Sequence, residues 1–507
     1  VIAIPLRILL LAIALIACAT ASADERWFEL SLDGVRCGHV HGSRRSLEGG
    51  LVESATTTVM RLSRGGQTVE VRIATRVVET GRGEPVEASV ERVTGTERHT
   101  SHLRFRRDAS TKTYEVTIDE GGRRRVETLP DDGWLAPAAI ERLIAARLDA
   151  NATRIEFRAL DLESGLCVVA TTMERSGESR TTVPGSDGPR EIPVSEWSVR
   201  TDRVPVPMRE LYATDGELVE SALALGIGEL RSRRSTREAA ARPIAETAEV
   251  LVRSFVPSAE PILGPRERTR LVLIVGSRAG AMPELPSVGA QRVRRLGPNE
   301  VEVEVDADRG SPAEDGEATD PRYLAVTTLI DHDAPAVMDL LARERPKAER
   351  SQRDRAEHLR RVVARWIGRK DLASAFASAS EAATARAGDC TEHAVLLAAL
   401  LRAEGIPARI ASGLVYADRF AGERHVWGWH LWTQALVPTA DGSGHEWIDL
   451  DATLPTRFDA AHLLTAVGDL AGGATDPMWL ESLGLIGNLS IEVRDAERTR
   501  PVRESAR

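Results

Sequence analysis

The chain has 507 residues, with 66 Lys and Arg against 76 Asp and Glu, a net charge of −10. That length predicts two to four domains. The composition is that of a globular protein able to bury a core, and the acidic balance excludes a general affinity for nucleic acid.

The first stretch, "VIAIPLRILLLAIALIACATASADERW", has one early charge, Arg7, then an uncharged, mostly apolar run from Ile8 to Ala21, closed by Ala21-Ser22-Ala23. The pattern predicts a secretory signal peptide over residues 1–23, cleaved after Ala23, and an exported protein, periplasmic or extracellular. The run is short for a bilayer span, and no later segment is apolar enough for one, so no transmembrane anchor is expected after cleavage. "LIAC" (Leu15 to Cys18) resembles the lipobox of bacterial lipoproteins and keeps a competing reading open, with Cys18 as a lipid anchor in the outer envelope. Loss of Cys18 with the leader leaves Cys37, Cys167 and Cys390, an odd number in an oxidising compartment. Cys37 and Cys167 are candidates for a disulfide; Cys390 is then the free thiol.

Residues 24–235 read mostly as strand. "WFELSLDGVRCGHVHG" is two strands around an Asp33-Gly34 turn, and "QTVEVRIATRVVET" and "KTYEVTIDEGGRRRVETL" continue the alternation. One helix interrupts, Ala136 to Leu148, with Pro137 near its start and Ile140, Leu143, Ile144 and Leu148 on one stripe. The expectation is an antiparallel sheet with a helix packed on one face. Residues 236–334 read as a linker and a small β module built on strands Arg268–Ser277 and Asn299–Asp308. Residues 335–465 form a mixed domain: an amphipathic helix carrying Leu359, Val362, Val363, Trp366 and Ile367, a second helix from Cys390, and the strands "ARIASGLVY", "WHLWTQALVP" and "HEWIDLDAT". Residues 466–507 end in a strand and a charged tail, expected to be disordered after about Val493. The fold class is α+β, multidomain and β-rich.

Chemistry concentrates in "ARAGDCTEHAVLLAALLRAEGIPAR". Asp389 and Glu392 fit a capping box that makes Cys390 the first residue of a helix ending near Gly405 and Pro407. Helix N-terminal N–H groups and the helix dipole favour a thiolate there. His430 follows 40 residues later within "WGWHLWTQALV", and Asp449 and Asp451 stand two apart in the next strand. A cysteine at a helix start with histidine and aspartate on neighbouring strands is the layout of a papain-like thiol site. His393 gives a Cys-x-x-His spacing with Cys390, but a second pair for a metal is missing, and His393 is read as packing beside the site. No metal or other cofactor is expected. Trp427, Trp429, Trp432 and Trp447 are candidates for either the cleft or the core.

"GDCTEHA", "LLRAEGIPAR", "HLW" and "WIDLDAT" together resemble the transglutaminase-like core, whose pattern runs G-D-C, G-I-P-A-R, H-x-W and W-x-x-x-D-P-T. The resemblance spans Pro335 to Leu464. It implies a papain-like α+β fold with Cys390 as nucleophile, His430 as base and Asp451, fourth after Trp447, as the orienting acid; Asp449 is the alternative. Ala452 replaces the usual proline, and Gln434 stands where many relatives have glutamate. The implied chemistry is attack on an amide and a thioester acyl-enzyme, resolved by water or by an amine. The implied partner is a protein or peptide substrate, with the cell envelope as its setting. A non-catalytic scaffold of the same fold is the rival reading.

Overall fold

The computed structural model describes residues 25–95, 97–163, 165–185, 188–204, 206–245, 247–345, 351–370, 377–471 and 478–498. The leader-like segment 1–23, Cys18 included, lies outside them, as does 499–507. The described residues divide into two compact units, to either side of the boundary between Glu249 and Val250.

The N-terminal unit is one large antiparallel sheet. Strands β1 to β8 are Arg26–Leu32, Val35–Ser46, Leu51–Arg64, Gln67–Thr80, Pro85–Thr94, Glu97–Asp108, Thr113–Glu120 and Arg123–Pro130; β9 to β14 are Arg154–Asp161, Cys167–Gly185, Gly188–Thr201, Met208–Ala213, Leu218–Leu225 and Gly228–Ser235. Each half is a meander, and β14 pairs with β1, so β8 and β9, consecutive in the chain, lie at opposite ends of the sheet order. Helix α1 (Pro137–Asp149) connects those two strands, with proline in its first turn where no N–H is needed. Period-two alternation aims Phe28, Leu30 and Leu32 of β1 into the core. Ile140 and Ile144 of α1 line an interior gap with Phe157, Met173, Val199 and Met208.

Cys37 lies in β2 and Cys167 opens β10, and no disulfide joins them. The candidate bridge is not formed: five strands separate β2 from β10 in the sheet order, whereas a disulfide needs Cα atoms within roughly 7 Å. Parity of cysteine count carries no information about which strands are neighbours.

The C-terminal unit holds two main sheets and a two-stranded one that pairs Arg369–Lys370 with Ala387–Gly388. The smaller main sheet contains β15 (Arg268–Ser277), β16 (Gln291–Gly297), β17 (Glu300–Asp306) and the chain's last described strand, Leu489–Arg498, in the order β16-β17-β15 followed by that last strand. The expectation of disorder after about Val493 is corrected as far as Arg498; residues 499–507 lie outside the described ones. Leu489 and Ile491 point inward, while Arg494 on the other face bonds Glu302 at 3.1 Å. The charges that read as a solvated tail are one face of an edge strand. β15, β16 and β17 thus share a sheet with the C-terminal segment and belong to the same compact unit as the helices.

The larger sheet is antiparallel: β18 (Ala408–Phe420), β19 (Glu423–Pro438), β20 (His445–Leu450) and β21 (His462–Gly468), in the order β20-β19-β18-β21; the last strand of the smaller sheet is accordingly β22. Helices α2 (Pro335–Glu344), α3 (Gln352–Trp366), α4 (Ala379–Ala385) and α5 (Cys390–Ala403), with the short α6 (Met478–Glu481), belong to the same unit. α5 lies against β18 and β19 and is surrounded by α2, α3 and α4. Its residues from Cys390 to Arg402 are all buried. A helix apolar on every side is a central helix, which explains the unbroken "AVLLAALL".

Candidate active site

Local sequence fixes where α5 begins. Asp389 Oδ1 accepts the Thr391 N–H at 2.8 Å, and Glu392 Oε2 accepts the Asp389 N–H at 2.8 Å, a complete capping box. Gly388 has φ +153°, and a Cβ there would stand 2.4 Å from the Glu392 Cβ. Only glycine lets the chain pass the capping glutamate and deliver Cys390 as the first helical residue. At the far end Gly405, φ +76°, stops the helix ahead of Pro407.

β19 carries His430, and Asp451 follows directly after β20, its hydrogen-bonded neighbour. His430 Nε2 stands 2.8 Å from Asp451 Oδ2, with both side chains fully buried. Among the described residues, buried His430 Nδ1 has no hydrogen-bond partner of ordinary geometry. It is the nitrogen left for exchange with a thiol, and the His430 side chain acts electrostatically on Cys390. Burial of the Cys390 thiol opposes ionisation, as does Asp389, while the charge of His430 favours the thiolate. Burial also opposes ionisation of Asp451, but His430 and His462 overcome it and hold the carboxyl well below the usual range.

Asp449 is not placed to act on His430. Its Oδ1 accepts from Trp432 Nε1 at 2.7 Å and Gln434 Nε2 at 2.8 Å, and its Oδ2 from the Ala290 N–H at 2.7 Å. Gln434 also accepts from Arg409 Nε at 2.9 Å. An amide suits that place, because it donates to Asp449 while accepting from Arg409. Trp427, Trp429, Trp432 and Trp447 are all buried and belong to the core.

His393, one turn into α5, does pack beside the site. Its Nδ1 is 2.5 Å from the Asp389 carbonyl and its Nε2 2.6 Å from Lys370 Nζ. Burial, then Lys370, pushes its pKa down to about 4. Neutral imidazole meets both contacts, donating from Nδ1 and accepting at Nε2. Lys370 Nζ also donates to the Thr453 carbonyl at 3.2 Å. The ammonium's partial removal from water lowers its pKa, while Asp451, Cys390 and Asp389 raise it. Lys370, Cys390, Arg266, Tyr416, Phe420 and Leu454 are among the residues lining a cleft of about 480 Å³.

His430, Asp451 and His462 bring potential ligand atoms within 4.8 Å of one another. They do not form a fitting metal site. His462 Nε2 stands 3.3 Å from Asp451 Oδ2, the oxygen His430 also uses, and the two N–H protons occupy the space a cation would need. Sequence reasoning missed Lys370 and His462. Lys370 is one of only three lysines in an arginine-rich chain, and His462 interrupts the apolar run "AAHLLTAV"; each was a usable signal.

Residues 341–452 match the family described as the transglutaminase-like superfamily. The C-terminal unit therefore carries a transglutaminase-like domain. No curated protein matches the chain. Among solved structures, a beta-barrel-like protein of a domain of unknown function from Brucella abortus aligns at 12% identity over 42% of this chain and 95% of its own, with a TM-score of 0.34. A structure titled "Putative Cysteine Protease", from Cytophaga hutchinsonii, aligns at 17% identity over 46% of this chain and 90% of its own, with a TM-score of 0.28. A structure titled "Putative Protease", from Parabacteroides distasonis, aligns at 9% identity over 74% of this chain and 68% of its own, with a TM-score of 0.18. At these scores the family match carries the assignment.

Proposed function

We propose that the C-terminal unit is a thiol-dependent enzyme acting on amide bonds. The observation that carries this is the His430 Nε2–Asp451 Oδ2 bond of 2.8 Å, which leaves Nδ1 of a buried imidazole for Cys390 at a capped helix start. Cys390 attacks the amide carbonyl as thiolate; the imidazolium of His430 then protonates the departing amine. Asp451 fixes the ring so that Nδ1 does this work. The backbone N–H of Cys390, in the first turn of α5, donates to the oxyanion. The thioester that results is released by water in a hydrolase or by an amine in an acyltransferase.

The substrate we propose is a protein or peptide amide met outside the cytoplasm, in line with the leader-like sequence over 1–23. The test is mass spectrometry of the full chain incubated with peptide amides, with and without added amine. A covalent acyl adduct on Cys390, absent in Cys390→Ser, is the expected result. Product carrying the added amine identifies an acyltransferase, and free acid a hydrolase. No adduct and no turnover across the library favours a scaffold.

A further inference from the structure

We propose that His462 is a positioning residue, an imidazolium near neutral pH, that shares Asp451 with His430 and holds that carboxylate against the His430 ring. This rests on the amide-bond reading for its purpose, but the charge state of His462 is testable without any turnover.

The argument begins with acceptors. His462 opens β21, eleven residues after Asp451, and is fully buried. Its Nδ1 stands 2.9 Å from the Asp459 carbonyl and 3.3 Å from Asp459 Oδ1. Its Nε2 stands 3.3 Å from Asp451 Oδ2. Both ring nitrogens therefore face oxygen acceptors. A neutral imidazole has one lone pair, which would be set against one of those oxygens, whereas the imidazolium satisfies both. Burial works against the charge, yet Asp459 and Asp451 raise the pKa to about 9.

The surrounding groups complete the charge pattern. Asp459 Oδ2 accepts from Arg266 Nη1 at 2.9 Å, and Arg266 lines the cleft. Asp451 Oδ1 accepts the Thr453 N–H at 2.7 Å. From β19 come the His430 and Trp432 rings, 5.9 and 5.3 Å from the His462 ring, and Phe458 packs at 4.4 Å. Asp449 of β20 is a further carboxylate coupled to His462, and Lys370 acts on Asp451 from the cleft side.

The consequence is positional. Asp451 Oδ2 takes N–H groups from both His430 and His462, and Oδ1 takes the Thr453 N–H, so the carboxylate is held in one orientation against the His430 ring. The charge on His462 offsets those of Asp451 and Asp459 where all three are buried.

The test uses the full chain labelled with ¹⁵N-histidine, the two signals being assigned by their loss in His462→Gln and His430→Ala. The expected result is His462 protonated on both nitrogens at pH 7, and a slowly exchanging His430 Nε2–H signal that broadens or is lost in His462→Gln. Asp459→Asn, which leaves the triad untouched, should lower the pH at which His462 gives up its second proton. A neutral His462 at pH 7 overturns the proposal. So does an unchanged His462 titration in folded Asp459→Asn, the variant that keeps the question answerable if His462→Gln fails to fold. The amide-bond reading fails separately, by absence of any acyl adduct on Cys390 while His462 still shows two protonated nitrogens.

Discussion

Lys370 Nζ stands 2.6 Å from His393 Nε2, a contact that requires neutral imidazole beside an ammonium. His393 and His462, both buried in the same unit, are thus held in opposite protonation states.

That opposition predicts a stability profile with two sides. The folded pKa of His393 is depressed from 6.5 to about 4, so its favourable contribution is complete above 6.5 and is lost as pH falls toward 4. The folded pKa of His462 is raised from 6.5 to about 9, so its contribution is complete below 6.5 and is lost as pH rises toward 9. Each window has a limiting slope of about 1.4 kcal/mol per pH unit. Urea unfolding followed by the fluorescence of the buried tryptophans of this unit is the measurement. His393→Gln should flatten the acid side relative to wild type, and His462→Gln the alkaline side. Parallel profiles for wild type and His393→Gln would mean that His393 carries its proton in the folded state.

The two aspartates of "WIDLDAT" should separate rate from stability. Asp451 bonds His430, and its replacement by Asn should lower turnover on the order of 10³–10⁴-fold, through misorientation of the ring. Asp449 instead satisfies Trp432, Gln434 and the Ala290 N–H. Asp449→Asn should cost about 1–3 kcal/mol of stability, because an amide cannot accept at both oxygen positions, with little change in rate. Kinetics and denaturant midpoints on both variants decide it; the reverse order would make Asp449 the orienting acid.

How much of this was readable beforehand follows from what each residue depends on. The start of α5 was legible because capping is local: Gly388, Asp389, Cys390 and Glu392 lie within five residues. His430 and Asp451 were legible through the spacing of motifs around them. Asp449 and Asp451 share the parity of one strand, so alternation could not separate them, and only the partners of Asp449 on β19 and at Ala290 do. His462 and Lys370 act through contacts made by strand pairing and loop packing, which no short pattern encodes. The same holds for Cys37 and Cys167, whose separation is set by the order of the strands between them. Arg494, read as part of a charged tail, is the outward face of a strand completing a sheet begun more than 200 residues earlier.

The N-terminal unit should lose stability as pH rises. Glu210 is buried, and its pKa is pushed up to about 7 by that burial, although the Tyr212 hydroxyl donates to it at 2.7 Å. A carboxyl raised in the folded state above its ordinary 4.5 favours the fold fully below 4.5 and loses that contribution as pH rises through about 7. Glu210→Gln keeps an acceptor for Tyr212 and removes the titration. The variant should match wild type near pH 4.5 and be more stable at pH 8, by thermal denaturation of the full chain at each pH. An equal difference at both pH values would show that Glu210 is ionised in the folded protein throughout.

The three described cysteines should differ sharply in reactivity, for separate reasons. Cys37 lies inside β2, fully buried, and burial pushes its thiol up to about 12. Almost no thiolate exists there near neutral pH, and reagent has no path to it. Cys167 opens β10 and is partly exposed, without a capped helix start beside it. Cys390 is the first residue of α5 and lines the cleft, with His430 favouring its thiolate. Iodoacetamide labelling over pH 5 to 9, followed by peptide mapping, should therefore modify Cys390 first and Cys37 last. Replacing His430 by Ala removes the group whose charge balances the thiolate, so the Cys390 rate at pH 6 should fall by at least about tenfold while the Cys167 rate stays the same. Asp451→Asn should fall between the two, since the ring remains but loses its anchor. Equal rates at Cys390 and Cys167, unaffected by His430→Ala, would leave a transglutaminase-like fold without an activated thiol, and the scaffold would then be the better account of this chain.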